Sequence, residues 1–130
     1  MAQSLRNIRE GGYAAKKILL IDDEKYALEL IEIYLRDEGF EVLTACTEQE
    51  AIKKFEKENP DLVIIDIQMH GTDTLGLLRK IKKKRMLPII THTGFDYQSK
   101  LADWKNETDA FVVKSFDLDE LIKQVKKLLA

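Results

Sequence analysis

The sequence predicts an α/β protein: a doubly wound, five-stranded parallel sheet with helices on both faces. Short apolar runs without polar alternation recur along the chain, as expected of strands that are covered on both faces. Between these runs lie segments of about ten to fifteen residues in which apolar side chains recur every three or four positions, as in amphipathic helices. This regular alternation indicates right-handed βαβ crossovers, and therefore a parallel sheet between two layers of helices.

Size, composition and charge exclude several classes of protein. The chain has 130 residues, of which 45% are hydrophobic and 34% are charged, so we expect one globular domain rather than a largely disordered chain. A formal net charge of -2 gives no basic surface for general nucleic-acid binding. No apolar run approaches the ~20 residues that cross a bilayer, and no signal peptide is recognisable. The single cysteine, Cys46, excludes an intramolecular disulfide. These features predict a cytoplasmic protein with no direct nucleic-acid partner and no membrane partner.

The chain begins with a leader and a first strand and helix. Residues 1–15 are mostly polar and include a glycine pair, which predicts a flexible leader or tag ahead of one domain at 16–130. The first strand, 18–21, is followed by an acidic cluster. Gly39 is placed to cap the following helix in the left-handed conformation. The apolar stripe of that helix consists of Ala27, Leu30, Ile31, Tyr34 and Leu35.

The second unit repeats this organisation. A short strand is predicted at 40–45. Thr47 and Glu50 then form a capping box for the second helix, which ends before Pro60. The strand after it, 62–65, consists of four consecutive apolar residues and is the best candidate for the centre of the sheet.

The remaining units are less uniform. The third helix ends in the basic run 79–85, which we expect to be solvated and favoured by the helix dipole. A fourth strand at 89–93 is followed by a weak helix at 97–105. The fifth strand, 110–113, precedes a last helix that starts with a second capping-box pattern at 117–120.

Polar side chains stand at the ends of four of the five strands. They are Asp22 and Asp23 after the first strand, Asp66 after the third, Thr93 at the end of the fourth, and Lys114 after the fifth. Parallel strands place their carboxyl ends at one edge, where open sheets bind ligands, so we expect these side chains to lie together. Three converging carboxylates repel one another unless they share a cation, and oxygen ligands of this kind suit Mg²⁺. A lysine and a hydroxyl can hold the oxygens of a phosphoryl group.

In this combination the sequence resembles the receiver domains of two-component response regulators. The resemblance extends from Lys17 to the C-terminus. Four segments carry it, namely Leu20-Ile21-Asp22-Asp23-Glu24, Asp61-Leu62-Val63-Ile64-Ile65-Asp66-Ile67-Gln68-Met69, Pro88 with Thr93, and Val112-Val113-Lys114-Ser115-Phe116. The resemblance implies a flavodoxin-like (CheY-like) three-layer sandwich with sheet order 2-1-3-4-5. It also implies a signalling domain that catalyses only its own phosphorylation and dephosphorylation.

The resemblance further implies a phosphoacceptor and a metal site. Asp66 would accept a phosphoryl group from a sensor histidine kinase or a phosphotransfer protein. The Mg²⁺ ligands would be Asp22, Asp23, Asp66 and the backbone carbonyl of Gln68. Gln68 and Phe95 would tune the rate of hydrolysis by controlling the access of water.

The same resemblance implies a switch. Thr93 and Lys114 would bind the transferred phosphoryl oxygens. Phe111 occupies the position of an aromatic residue that swings inward on activation, so Thr93 and Phe111 would form the switch. A downstream protein target would bind the face formed by the fourth helix, fifth strand and fifth helix, and a homodimer is compatible with this interpretation.

Three positions depart from the family pattern. His70 stands where the family usually has proline, and Thr74 stands where glycine is common. Ser115 replaces a proline that usually follows the lysine through a cis peptide. A non-proline cis bond costs ~2.5–4 kcal/mol, so the bond before Ser115 is either trans or a strained cis bond that its surroundings hold. We interpret His70 and His92 as bystanders, because no cysteine or second acidic pattern nearby suggests zinc.

Two other functions remain open at this point. The departures at His70 and Ser115 are compatible with a pseudo-receiver, which keeps the fold as an interaction module without the switch. A haloacid-dehalogenase-type phosphatase also forms an aspartyl phosphate, but that family has a second acid two residues after the nucleophile, where this chain has Gln68. Trp104 is compatible with either a partner anchor or simple packing against the sheet.

Overall fold

The computed structural model describes residues 15–94, 101–115 and 117–130. The predicted leader, apart from Ala15, lies outside the described residues, and so do Phe95 and the first part of the predicted helix at 97–105. In the described ranges, no helix is both long enough and apolar enough to span a membrane.

Five strands and five helices alternate through these ranges. They are β1 (Lys17–Ile21), α1 (Lys25–Asp37), β2 (Glu41–Ala45), α2 (Glu48–Glu58), β3 (Leu62–Ile65), α3 (Thr74–Lys84), β4 (Ile89–Thr93), α4 (Leu101–Trp104), β5 (Ala110–Val113) and α5 (Asp119–Leu129). The order of elements is the predicted one, and each strand begins within one residue of its predicted start.

All five strands pair in parallel in one sheet, in the order β2-β1-β3-β4-β5. This confirms the predicted doubly wound sheet with order 2-1-3-4-5. The strand order changes direction between β1 and β3, which lie side by side at the centre. In open α/β sheets, ligands bind at the carboxyl ends of the strands beside such a switch point. The residues that follow β1 and β3 are therefore placed where ligand chemistry is expected.

Alternate strand residues point into two separate cores, which makes the molecule a three-layer sandwich. One core lies between the sheet and α2, α3 and α4, and it includes Leu19, Ile21, Val63, Ile65, Phe55, Leu77, Leu78, Ile81 and Trp104. The other lies between the sheet and α1 and α5, and it includes Ile18, Leu20, Leu62, Ile64, Leu28, Ile31, Leu35, Leu121 and Val125. Because β1, β3 and β4 are covered on both faces, their sequences show no polar alternation.

The capping predictions succeed at α2 and fail at α5. The Thr47 hydroxyl accepts a hydrogen bond from the backbone N–H of Glu50 at 3.1 Å, and the Glu50 carboxylate accepts one from the backbone N–H of Cys46 at 2.9 Å. At α5 the predicted capping box does not form. Asp117 Oδ1 accepts from the backbone N–H of Asp119 at 2.9 Å, and the helix begins at Asp119 because this local turn replaces the longer-range cap.

Helix α1 exposes more apolar surface than its sequence pattern suggests. The side chains that it buries are Leu28, Ile31 and Leu35. Those that it exposes, named here the α1 patch, are Tyr26, Leu30, Ile33 and Tyr34. The prediction that Leu30 and Tyr34 belong to the inward stripe is therefore wrong. A helix that lies on a sheet buries only one stripe of its surface, and these two residues lie beyond its edge.

The basic run at the end of α3 is paired as well as solvated. Lys80 Nζ lies 3.2 Å from a carboxylate oxygen of Glu48, and Lys82 Nζ lies 3.1 Å from one of Glu107. The hydrogen bond from Lys82 is the main reason why the pKa of Glu107 is lowered. Exposed pairs of this kind contribute at most about 1 kcal/mol each. The run is therefore largely exposed at the end of the helix, as predicted, and it also pairs with carboxylates of neighbouring elements.

Candidate functional site

Backbone hydrogen bonds between strands fix the positions of three predicted site residues. The hydrogen-bond ladder continues one residue beyond three strands. The backbone N–H of Asp22 donates to a carbonyl of β2 at 3.1 Å, that of Asp66 to one of β1 at 3.0 Å, and that of Lys114 to one of β4 at 2.6 Å. As the sequence predicts, the three side chains therefore meet at the carboxyl edge of the sheet.

Lys114 joins two of the predicted site carboxylates. Its Nζ lies 2.7 Å from Oδ2 of Asp22 and 2.8 Å from Oδ2 of Asp66. The other oxygen of each carboxylate accepts a backbone N–H of its own loop, from Glu24 at 3.0 Å for Asp22 and from Gln68 at 3.1 Å for Asp66. All four carboxylate oxygens thus have a donor. The ammonium supplies the positive charge that two neighbouring buried carboxylates require.

Burial and pairing change the ionisation of these groups. Burial raises the pKa of Asp22, although the hydrogen bonds from Lys114 and from the backbone N–H of Glu24 act against it. For Lys114, burial alone would lower the pKa, but the hydrogen bonds and charges of Asp22 and Asp66 outweigh it and raise the pKa. Lys114 is therefore held in its charged form, and the ionised form of Asp22 depends on the ammonium beside it.

Asp23 has a different partner. Its Oδ2 accepts the backbone N–H of His70 at 2.8 Å and lies 3.0 Å from the imidazole Nδ1 of the same residue. Partial burial of Asp23 opposes its ionisation, but the two hydrogen bonds from His70 outweigh that effect and lower its pKa. His70 is therefore not a bystander, and that prediction is wrong. The two residues are 47 positions apart, and no sequence pattern connects them.

The carboxylates do not form a ready-made metal site. Among the residues that the structure describes, no group of three or more His, Cys, Asp or Glu side chains could hold a metal ion as it stands. Lys114 lies between Asp22 and Asp66, and Asp23 is bonded to His70, so the predicted convergence of three carboxylates on one cation is not seen. The donor chemistry still fits Mg²⁺. Asp22 and Asp66 already share one positive charge, and their oxygens are ligands that Mg²⁺ prefers.

Thr93 carries a buried polar atom without a partner. Its Oγ1 is buried and makes no hydrogen bond within the described part of the chain. Leaving a buried hydroxyl unpaired costs about 1–3 kcal/mol, and such groups are rare in folded proteins. The hydroxyl lies at the end of β4, which is the neighbour of the strand that carries Asp66. A hydroxyl at this position can donate a hydrogen bond to an anion at the edge of the sheet.

Replacing Thr93 with valine should therefore stabilise the protein. We expect Thr93→Val to raise the free energy of unfolding by about 1 kcal/mol, because the variant buries a methyl group in place of an unpaired hydroxyl. Thr91→Val is a matched control on the same strand. Thr91 is equally buried, but its hydroxyl bonds Thr108 Oγ1 at 3.1 Å, so its loss should destabilise the protein by about 1 kcal/mol. Urea unfolding of both variants checks this, and the same sign for both would contradict it.

Phe111 lies on the same face of the sheet as Thr93. In the β4–β5 pair, Phe111 is opposite Thr91. Thr91 and Thr93 are two residues apart on β4 and therefore share a face, so Phe111 lies on that face as well. Phe111 is partly buried and packs against the core that contains Trp104. Trp104 is itself 2% exposed, so its role in this structure is packing rather than that of an exposed anchor.

The fold and the site agree with a comparison against known protein families. The model of the response regulator receiver domain matches residues 18–126. The chain belongs to the response regulator receiver domain family. The resemblance stated from the sequence is therefore confirmed. Receiver domains are generally signalling modules and not classical enzymes.

Solved structures of other receiver domains resemble this one over nearly the whole described chain. The response regulator TrrA from Thermotoga maritima, solved in complex with Mg²⁺-BeF, is 45% identical, with a TM-score of 0.77, over 87% of this chain and 98% of that chain. A complex of the histidine kinase ThkA with TrrA matches at 44% identity and a TM-score of 0.77, over 88% and 99%. The chemotaxis protein CheY4 from Vibrio cholerae matches at 25% identity and a TM-score of 0.81, over 88% and 99%.

The departures of this receiver domain from the family pattern are accommodated by its loops. The described residues contain no cis peptide bond, so the bond between Lys114 and Ser115 is trans, and Lys114 still reaches the carboxylates. The Thr74 hydroxyl donates to the backbone carbonyl of Ile67 and so ties the first turn of α3 to the loop after β3. The Gln68 side chain is exposed beside that loop.

His92 is a residue of the receiver domain whose environment the sequence did not reveal. It is buried at the end of β4, on the face of the sheet opposite to Thr93. With Glu24, Tyr26 and Lys114, it lines a cavity of about 480 Å³ beside α1. Burial, assisted by the positive charge of Lys114, lowers the pKa of His92 to about 4.

Proposed function

We propose that this receiver domain accepts a phosphoryl group on Asp66 from a phosphohistidine of a sensor histidine kinase or of a phosphotransfer protein, and that this step changes a protein-binding surface. One observation carries the proposal: a buried carboxylate, a charged lysine and an unpartnered hydroxyl lie at one edge of the sheet, on Asp66, Lys114 and Thr93. The relatives support it, because one was solved with Mg²⁺-BeF and one with a histidine kinase.

The transfer requires an ionised acceptor. A carboxylate oxygen of Asp66 forms a bond to phosphorus while the bond from phosphorus to the donor imidazole nitrogen breaks, and the electron pair of that bond stays on the nitrogen. Lys114 Nζ lies 2.8 Å from Oδ2 of Asp66 and places a positive charge beside the acceptor carboxyl group. Asp22, Asp23, Asp66 and the backbone carbonyl of Gln68 would hold Mg²⁺, which supplies positive charge opposite the phosphoryl oxygens.

The phosphorylated state gives the unpartnered hydroxyl an acceptor. The phosphoryl group adds negative charge and oxygens at the sheet edge, so the Thr93 hydroxyl and the Lys114 ammonium are attracted toward it. Phe111, on the same face as Thr93, would fill the space that Thr93 leaves. The altered surface, formed by α4, β5 and α5, would bind a downstream protein or a second copy of the chain. Gln68 and Phe95 would tune hydrolysis.

The α1 patch is a suitable surface for the kinase. Tyr26 is 83% exposed, and Leu30, Ile33 and Tyr34 extend the same apolar surface along the helix. Tyr26 and Leu30 also line the cavity that contains Lys114, so a helix docked on the patch would place its phosphohistidine beside the carboxylates. We propose protein partners only, in the cytoplasm, without direct binding to nucleic acid or membranes.

Phosphorylation of the isolated domain tests the proposed function. Incubation with Mg²⁺ and acetyl phosphate should give a labile phosphoryl adduct by intact mass spectrometry, and Asp66→Asn should abolish it. Asp103→Asn, which changes an exposed carboxylate on α4, serves as the control and should leave the adduct unchanged. If no donor produces an adduct, the domain is a pseudo-receiver. Multiple turnovers of a phosphate ester would instead indicate the phosphatase alternative.

A further inference from the structure

His70 occupies the position at which the family usually has proline, and its backbone makes a contact that proline is unable to make. The backbone N–H of His70 donates to Oδ2 of Asp23 at 2.8 Å. Proline has no backbone N–H. A chain with proline at this position therefore lacks this link between the loop after β3 and the loop after β1.

The His70 side chain adds a second donor to the same oxygen. Its Nδ1 lies 3.0 Å from Asp23 Oδ2. An ionised carboxylate only accepts hydrogen bonds, so Nδ1 must be the protonated ring nitrogen in this contact. The imidazole is 92% exposed, and the Asp23 side chain is 27% exposed. The ring is thus held mainly by this contact rather than by packing, and it is free to leave when Asp23 finds another partner.

The other predicted metal ligands also have donors of the protein as partners. Two of these predicted ligands, Asp22 and Asp66, form ion pairs with Lys114. Each carboxylate of the proposed metal site is therefore bonded to a donor of the protein itself. Lys114 donates to Asp22 and Asp66, and His70 donates to Asp23. Both lone pairs of Oδ2 face donors of His70, so a cation that binds through Oδ2 would have to displace at least one of these donors.

We propose that His70 is a positioning residue that holds the Asp23 carboxylate in the metal-free protein and competes with Mg²⁺ for it. The inference rests on the proposed function in taking Asp23 as a magnesium ligand. It adds that this chain binds Mg²⁺ more weakly than the same chain would without the His70 side chain. Binding of Mg²⁺ and loss of the hydrogen bond from His70 Nδ1 to Asp23 Oδ2 are then coupled.

Magnesium titration of three forms of the protein tests the proposal. In His70→Ala the backbone N–H remains and the ring donor is lost, so Mg²⁺ should bind about threefold more tightly in isothermal calorimetry. His70→Asn should restore an affinity close to that of the wild type, because its side-chain N–H can replace Nδ1–H as the donor. Thr72→Ala, in the same loop, is the control and should match the wild type.

Thermal melts of the unphosphorylated protein give a second readout. In EDTA, His70→Ala should melt about 2 °C below the wild type, because the variant lacks the hydrogen bond from the imidazole to Asp23. In saturating Mg²⁺ this difference in melting temperature should disappear. An equal or weaker affinity for Mg²⁺ in His70→Ala would overturn the inference while leaving the proposed function intact. If the wild type binds no Mg²⁺, the inference and the metal-dependent function both fail.

Discussion

Lys114→Met should lower the free energy of unfolding by about 3 kcal/mol at pH 7 in the absence of divalent cations. The ammonium contacts two carboxylates, Asp22 and Asp66, whose side chains are 3% and 8% exposed. Breaking a buried ion pair by removing one partner typically costs about 3–5 kcal/mol, because the remaining charge is left uncompensated. We take the lower figure because the Lys114 side chain is itself 23% exposed.

Urea unfolding with and without Mg²⁺ measures the effect. If the carboxylates need a cation, Mg²⁺ should stabilise Lys114→Met more than it stabilises the wild type. The loss should also be smaller at low pH than at pH 7, because the pKa of Asp22 is raised and its protonated carboxyl group no longer requires a positive partner. The raised pKa of Asp22 fixes the sign of its own contribution to stability. Ionisation of Asp22 opposes folding at neutral pH, and this destabilisation is lost as pH falls through the pKa of Asp22 in the folded protein.

Lys126→Met is the matched control for this variant. Lys126 pairs with Glu38 on the surface, and its side chain is 56% exposed. Exposed pairs of this kind contribute at most about 1 kcal/mol. If Lys114→Met and Lys126→Met lose the same stability, or if Mg²⁺ stabilises both to the same extent, Lys114 does not hold the two carboxylates together.

The sequence predicts most of the fold because the relevant signals are local. The buried strands show as uninterrupted apolar runs, for example Leu62–Ile65, and this pattern arises from coverage of both sheet faces. Gly39 has φ of 101°, a conformation that glycine adopts without strain, and it follows α1 as predicted. The helix ends and strand ends that matter for the site were therefore predictable from single residues and short spacings.

The same locality explains which parts of the site were predictable. Asp22, Asp66 and Lys114 follow strands directly, and the ladder bonds of their own backbone amides fix them at the sheet edge. Strand positions alone are enough to bring these residues together. The hydrogen-bond partners of the site residues could not be predicted in this way. Whether Asp23 bonds a cation or His70 depends on the meeting of two loops, and nothing within either loop's sequence encodes it.

The errors have related physical causes. Local competition defeated the capping box at α5, where Asp117 bonds a nearer amide. The extent of the buried stripe on α1 depends on how the helix lies on the sheet, which periodicity alone does not specify. Ion pairs between elements, such as that of Lys82 with Glu107, were likewise not predicted. In each case the residue type was read correctly, but its neighbour in space was not.

The partners of the site carboxylates suggest how its charge is balanced. The positive charge beside Asp22 and Asp66 comes from Lys114, and Asp23 is bonded to His70. Binding of Mg²⁺ or addition of a phosphoryl group would have to redistribute these contacts. Lys114 also contributes to the lowered pKa of His92, so the buried histidine reports on the position of the ammonium. The effect of Lys114 on His92 can be measured through the pH dependence of the free energy of unfolding.

Stability should fall by about 2–3 kcal/mol as pH decreases from about 6.5 to about 4 because of His92. Its pKa is lowered from 6.5 to about 4 in the folded protein, so the unfolded chain takes up a proton in this window before the folded protein does. Stability therefore decreases with falling pH at up to about 1.4 kcal/mol per pH unit. The charged or titratable groups that line its cavity are Glu24, Tyr26 and Lys114.

Urea unfolding at several pH values isolates this contribution by comparison with His92→Gln, which stays neutral throughout. Carboxylates titrate similarly in both proteins, so the wild type should lose about 2–3 kcal/mol more than the variant between pH 6.5 and pH 4. A proton NMR titration of the imidazole gives a direct check, with a midpoint near 4 in the wild type. In Lys114→Met the midpoint should rise, because a positive neighbour is gone. Equal pH profiles for wild type and His92→Gln would show that His92 does not resist protonation.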